Sequence, residues 1–206
     1  LIIPNSSLIP QNDPSLLFIN SGMAPLKEYF TEEKFPPAPN LCNIQPCVRT
    51  IDITDVGDRH HLTLFEMMGS WSINNYFKQR AIELAYDLLV NHFKFPKEKL
   101  FVTVYEGSKQ HNLPADTESY QIWKSVGMDE SHIIMQPHED NFWGPAGSVG
   151  PCGPCTEIFF DQGSGYKNDD DRWLEIWNLV FMEFDKSANG KTTPLPLKCV
   201  DTGMGL

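Results

Sequence analysis

Two stretches, Thr156-Glu157-Ile158-Phe159-Phe160-Asp161 and Trp173-Leu174-Glu175-Ile176-Trp177-Asn178-Leu179-Val180-Phe181-Met182-Glu183-Phe184, decide the fold class. Both are rich in β-branched and aromatic residues and bounded by turn formers, so both predict strands. Between them, residues 162–171 are polar and glycine-bearing and predict an exposed loop. Residues 185–193 read as a hairpin tip, with Asn189-Gly190 supplying the turn, and 197–201 reads as the next strand. Short β-rich runs also cover 15–19, 44–53, 62–67 and 100–105. Helical periodicity is confined to three places. Residues 78–93 set Ile82, Ala85, Leu88, Leu89 and Phe93 on one face. Residues 117–126 form a second helix, with Asp116 as N-cap and Gly127 as stop, and 24–30 a short third. Helices that do not alternate with strands exclude a doubly wound parallel fold. The expectation is the α+β class, an antiparallel β-sheet flanked by helices. Residues 36–40 read as a stiff connector and 144–155 as a shaped loop rich in glycine and proline.

The 206 residues carry 16 basic and 27 acidic side chains, a net charge of −11, and are 41% hydrophobic. That is enough apolar mass for a core, and it excludes a disordered tail or a disulfide-stapled scaffold. The acidic balance argues against adhesion to nucleic acid or membrane through net charge, while leaving room for a local basic site. No apolar run is long enough to cross a bilayer. With no export signal, the five cysteines read as reduced thiols and the protein as cytoplasmic. The chain starts at Leu1 and stops after Gly205-Leu206, so both ends read as edges of a fragment, with residues 1–206 a single unit.

Neither a GxxxxGK[ST] nor a GxGxxG signature is present, so a nucleotide would have to be held another way. Arg49, in the β-like run 45–53, either aims a rigid fork at a phosphate or makes a surface salt bridge. His60 and His61 on an extended chain point to opposite faces and make a poor metal pair; either one of them meets a phosphate or ribose, or both are ordinary loop histidines. Cys152-Gly153-Pro154-Cys155 has zinc-ligand spacing but lacks a second pair of ligands. Trp143 is either packing or the wall of a small pocket. Asn178 sits in a strand apolar enough to be buried, so its amide either ties the core or faces a polar ligand. Asp201 precedes Gly203 and Gly205, where a backbone can approach a ligand closely.

Taken in order, the motifs resemble the catalytic core of alanyl-tRNA synthetases. Cys47-Val48-Arg49-Thr50, then Asp52-Ile53, Val56-Gly57 and His61 to Ser72, are similar to the second class-defining motif. Ser6 to Pro10 with Leu17 to Met23, Asp140 to Trp143 with Gly150 to Ile158, and Glu175 to Met182 agree in the same order. Val200-Asp201-Thr202-Gly203-Met204-Gly205-Leu206 looks like the opening of the third motif, and the resemblance stops before the Glu-Arg that usually follows.

The resemblance implies a class II synthetase fold and a two-step reaction. Alanine and ATP give alanyl-adenylate, with Mg2+ serving the phosphates, and the alanyl group then passes to tRNA(Ala). It implies that Arg49 holds the α-phosphate, that His61 (or His60) meets the outer phosphates, and that Trp143 closes the amino-acid pocket. Ile176, Trp177 and Asn178 would line the ATP and alanine sites, with Val180 beside the substrate methyl. Asp201 would bind the ammonium, while Gly203 and Gly205 let the backbone approach the adenylate. The Cys152–Cys155 segment then reads as a pocket loop. Contacts to tRNA would lie mainly outside these residues, and nothing here resembles an editing domain. Two other functions remain open: a synthetase-like paralogue that hands its amino acid to another acceptor, and a module that only binds an amino acid or ATP.

Overall fold

The computed structural model describes all residues except 12, 59, 146–148 and 166–168, and leaves the side chains of 169 and 170 undescribed. The strands are β1 (Asn40–Val48), β2 (Leu64–Ile73), β3 (Leu100–Tyr105), β4 (Ile133–Gln136), β5 (Phe142–Trp143), β6 (Gly150–Asp161), β7 (Trp173–Lys186) and β8 (Thr192–Gly205). The helices are α1 (Lys27–Phe30), α2 (Lys78–Tyr86), α3 (Thr117–Val126), α4 (His138–Asn141) and α5 (Asp169–Arg172). One sheet runs β1-β2-β8-β7-β6-β3-β4, with β5 paired to β6. Every pairing is antiparallel except β3 with β4, reached through α3. The α+β expectation therefore holds, with one parallel edge added.

Each face of the sheet carries its own core. On one side α2, the helical turn that follows it (Asp87–His92) and α3 pack Ile82, Ala85, Leu89, Ile122 and Trp123 onto Val102, Ile158, Leu179, Phe181 and Val200. On the other, Met23, Ala24, Leu26 and Phe30 lie over Leu41, Trp71, Cys155, Val180 and Met182. The period-2 alternation of the strands sends neighbouring residues into these two layers. Buried Lys78 ties the helices to the sheet: its Nζ lies 2.8 Å from Asp116 Oδ1 and 2.9 Å from Glu183 Oε1. Asp116 also caps α3, accepting the Ser119 N–H at 3.1 Å, and Gly127 ends α3 at φ 102° as predicted.

Several boundaries differ from the sequence reading. Residues 15–19 form no strand, because their backbone meets the Leu8 carbonyl and the Val48 amide singly and joins no ladder. The run 44–53 splits: β1 ends at Val48, and a 3₁₀ segment occupies Thr50–Thr54. Pro46 is tolerated inside β1 because β1 is an edge strand, covered in part by Leu1 to Ile3. The helix over 78–93 changes at Asp87 into a π-helical turn with a Phe93 N–H to Leu88 carbonyl bond of 2.8 Å. The wider turn carries Phe93 off the core, leaving it 51% exposed. Residues 150–155, read as loop, are strand. Here the β6–β7 ladder is bulged, with the extra residue on β7 opposite Gly153 and Pro154, and a Cβ on Gly153 would overlap the Phe181 carbonyl. Residues 146–148 of that expected loop, and 166–168 of the loop expected over 162–171, lie outside the described residues. Gly190, at φ 80°, turns the β7–β8 hairpin as expected.

Candidate active site

Strand register gathers the predicted residues on one face. Trp71, Asp201, Val180 and Cys155 form one transverse row across β2, β8, β7 and β6. Two residues along, on the same face, Gly69, Gly203, Asn178 and Glu157 form another. Ser70, Thr202, Leu179 and Thr156 lie between them and point to the helix side. At the end of β1, Arg49 continues the extended chain at φ −120° and ψ 95°, two residues beyond buried Cys47.

Arg49 is half-buried and held at one point. Its Nε donates to the Asn20 carbonyl at 2.9 Å, and its guanidinium lies 5.3 Å from the centre of the Phe65 ring. Its terminal nitrogens make no hydrogen bond among the described residues. A cleft of about 370 Å³ opens beside it, lined in part by Asn20, Ser21, Asp52 and Trp143. Asn20 Oδ1 and Ser21 Oγ are buried there without a partner among the described residues. Trp143, on β5, lines the same cleft and also packs on the core layer that holds Val180. It thereby joins the Arg49 end of the face to the Asp201 end.

Asp201 is 6% exposed and accepts one hydrogen bond, from Trp71 Nε1 at 2.7 Å. Burial pushes its carboxyl up to about 7, against the pull of that N–H. A buried carboxyl with so little support is a place for a cation. Asn178 donates to Glu157 Oε1 at 3.2 Å, and its own Oδ1 is buried and has no partner among the described residues. Its amide therefore does both things left open above: it ties the sheet and offers an acceptor. Burial raises the Glu157 carboxyl, and the neighbouring Glu175 raises it further. Glu175, open to solvent on one side, is also raised through loss of hydration, and Arg49 and His61 partly offset this. His61 pairs with Asp58 through Nδ1 at 2.5 Å, which raises its pKa; the buried His60 ring nitrogens have no partner among the described residues.

Other predicted residues sit differently. Trp177 packs with the helix-side core, away from Asn178, and Ile176 is the extra residue of a bulge and packs on that same side. Their strand reaches the site face through Asn178 and Val180. Gly203 is roofed by Met67, whose Sδ would lie 2.8 Å from a Cβ there, whereas Gly205 faces open space. Cys152 and Cys155 are buried strand residues, and burial pushes both thiols up, Cys152 to about 11. That corrects their reading as a pocket loop. Trp71, Asn20, Ser21, Glu157 and Glu175 were not singled out from sequence. Their signal is positional: Glu157 lies opposite Asn178 and Trp71 opposite Asp201, and only register shows it.

Residues 1–206 match the family of class II (A) tRNA synthetases, and the chain belongs to it. The fold agrees: apo histidyl-tRNA synthetase of S. aureus superimposes with a TM-score of 0.50 at 12% identity, over 97% of this chain and 52% of that one. Within the family, the chain is similar to alanine–tRNA ligases. It is 46% identical to that of Treponema denticola over 99% of this chain and 35% of the relative. It is 46% identical to the Flavobacterium psychrophilum enzyme, over 100% of this chain and 25% of the relative. With the Mycoplasmopsis agalactiae enzyme the identity is 49%, over 100% and 24%. The chain thus spans about a quarter to a third of the length of these curated relatives.

Proposed function

We propose that this chain is the amino-acid-activating part of an alanine–tRNA ligase. One observation carries the reading: a single sheet face joins a guanidinium with free nitrogens, Arg49, to a buried carboxyl, Asp201, and an unpaired amide oxygen, Asn178 Oδ1. A zwitterionic amino acid and a triphosphate need such a set. The alanine carboxylate oxygen attacks the α-phosphorus of ATP. The new acyl–phosphate bond forms as the bond to the β-phosphate oxygen breaks, releasing pyrophosphate. The terminal ribose hydroxyl of tRNA(Ala) then takes the alanyl group and AMP leaves.

The side chains supply position and charge rather than covalent chemistry. Arg49 holds the α-phosphate through its free nitrogens, and Asp201 and Asn178 Oδ1 take the ammonium. Val180, beside Asp201 in the register, meets the methyl, and Trp143 walls the pocket. His61, its charged form favoured by Asp58, reaches the outer phosphates. Gly205 leaves room for the adenylate. Magnesium, bound with the nucleotide, would supply charge neutralisation at the phosphates. Glu157 and Glu175, both kept from ionising easily, fit as the carboxyls that meet it, since magnesium takes one or two carboxylates plus phosphates. A pocket this simple distinguishes alanine from glycine or serine by only about 1–3 kcal/mol. No helix among the described residues is long and apolar enough to cross a membrane; we place the protein in the cytoplasm.

The test is ATP–pyrophosphate exchange on the complete open reading frame, with alanine, glycine and serine and without tRNA. Exchange strongest with alanine supports the reading. A folded protein that exchanges with none of the three, or prefers another amino acid, refutes it.

A further inference from the structure

We infer that Trp71 is a positioning residue for the amino-acid site, its indole N–H holding one carboxyl oxygen of Asp201 so that the other is presented to the substrate ammonium. The inference rests on the reading of Asp201 given above. Trp71 is fully buried, and an indole has one donor and no acceptor. That donor goes to Asp201 Oδ1 at 2.7 Å. The two residues are direct register partners on β2 and β8, so the bond joins side chains on adjacent strands. Asp201 Oδ2 has no hydrogen-bond partner among the described residues.

The indole has no freedom to aim elsewhere. A Cβ on Gly69 would overlap the ring, and one on Gly22 would stand 2.9 Å from Cζ2. These two glycines cut a slot that the ring fills. A phenylalanine would fill most of it too, but would leave Asp201 with nothing to orient it. Around the carboxyl, β7 contributes Val180 and β6 the Cys155 thiol, with Cys199 further along β8. The Ala24–Phe30 segment brings the Tyr29 ring to the same layer. Glu157 stands one row along on the same face, where Glu175 acts on it and Arg49 acts on Glu175 in turn. Among the described residues the indole is therefore the one group that stabilises the Asp201 carboxylate by a hydrogen bond, and its loss makes that carboxylate rarer at neutral pH.

The test is Trp71→Phe in the complete open reading frame. At pH 7 the KM for alanine in pyrophosphate exchange should rise about tenfold, as expected for loss of a hydrogen bond to a charged group. The KM for ATP should stay within about twofold. The defect should shrink toward pH 9, because without the N–H the carboxyl ionises later. A KM for alanine with the wild-type pH profile overturns the inference, as does an equal rise in both KM values. A second readout needs no activity. In protein carrying ¹⁵N-indole tryptophan, the resonance that disappears in Trp71→Phe should titrate in wild type and cease to titrate in Asp201→Asn. A resonance that does not move between pH 5 and 9 overturns the coupling. If the wild type shows no alanine-dependent exchange, the functional reading fails while this titration still decides the Trp71–Asp201 link.

Discussion

Replacing Asp201 by asparagine should stabilise the empty protein while abolishing alanine binding. Asparagine keeps the shape of the side chain and an oxygen for the Trp71 N–H, but it carries no charge to bury. The carboxyl of Asp201 moves from 3.8 in the unfolded chain to about 7 in the fold, because burial outweighs its single hydrogen bond. A folded pKa above the unfolded one gives stability that is complete below 3.8 and is lost as the pH rises through about 7. At about 1.4 kcal/mol per pH unit, the wild type gives up ~4 kcal/mol by pH 8 that the asparagine variant keeps. For a chain of this size that corresponds to roughly 10 °C in Tm. Glu157 titrates in both proteins and cancels from the difference. Thermal unfolding of the two proteins from pH 4 to 8.5 measures it. The variant should melt well above wild type at pH 8, and the curves should converge near pH 4. A variant no more stable at pH 8, or a gap that ignores pH, refutes the argument that Asp201 is a desolvated charge kept for a ligand.

Three further outcomes follow from the same geometry. Arg49→Ala should reduce alanine-dependent exchange by at least ~10²-fold, the cost of removing one donor aimed at developing charge. Its melting temperature should barely change, since Arg49 is half-buried and held by one hydrogen bond. Lys78→Met should cost ~3–5 kcal/mol in urea unfolding, because Asp116 and Glu183 would lose the cation they share. Gly69→Ala should cost ~1–3 kcal/mol by pushing the Trp71 ring from its slot, with alanine affinity falling alongside.

The strand content was legible where residues 156–161 of β6 and most of β7 carry β-forming side chains, and α3 because Asp116 and Gly127 mark its ends. What stayed hidden depends on partners distant in sequence. β4, four residues long, reads as strand only once β3 lies beside it. The Cys152–Cys155 segment reads as loop until the bulge on β7 explains its glycine. The candidate site divides the same way. Arg49, Asp201 and Asn178 stand out as polar residues in apolar runs. Trp71 looks like any core aromatic, and nothing local to it reveals a carboxyl on the strand opposite. Trp177 shows the converse error, since adjacency to Asn178 along a strand guarantees the opposite face.

The arrangement of thiols makes the sheet its own recording device. Cys47, Cys152, Cys155 and Cys199 are buried in β1, β6 and β8, and burial pushes Cys47, Cys152 and Cys199 to about 11. Alkylation needs both access and thiolate, so in the native protein these four are silent. Cys42, half-buried on the edge strand, is the one thiol positioned to react at once. After that single event, each additional adduct registers an excursion in which a strand of the sheet parts from its surroundings. The rate at which adducts accumulate at each position, followed by mass spectrometry with and without alanine and ATP, would show which strands the substrates hold together and how often the empty site comes apart.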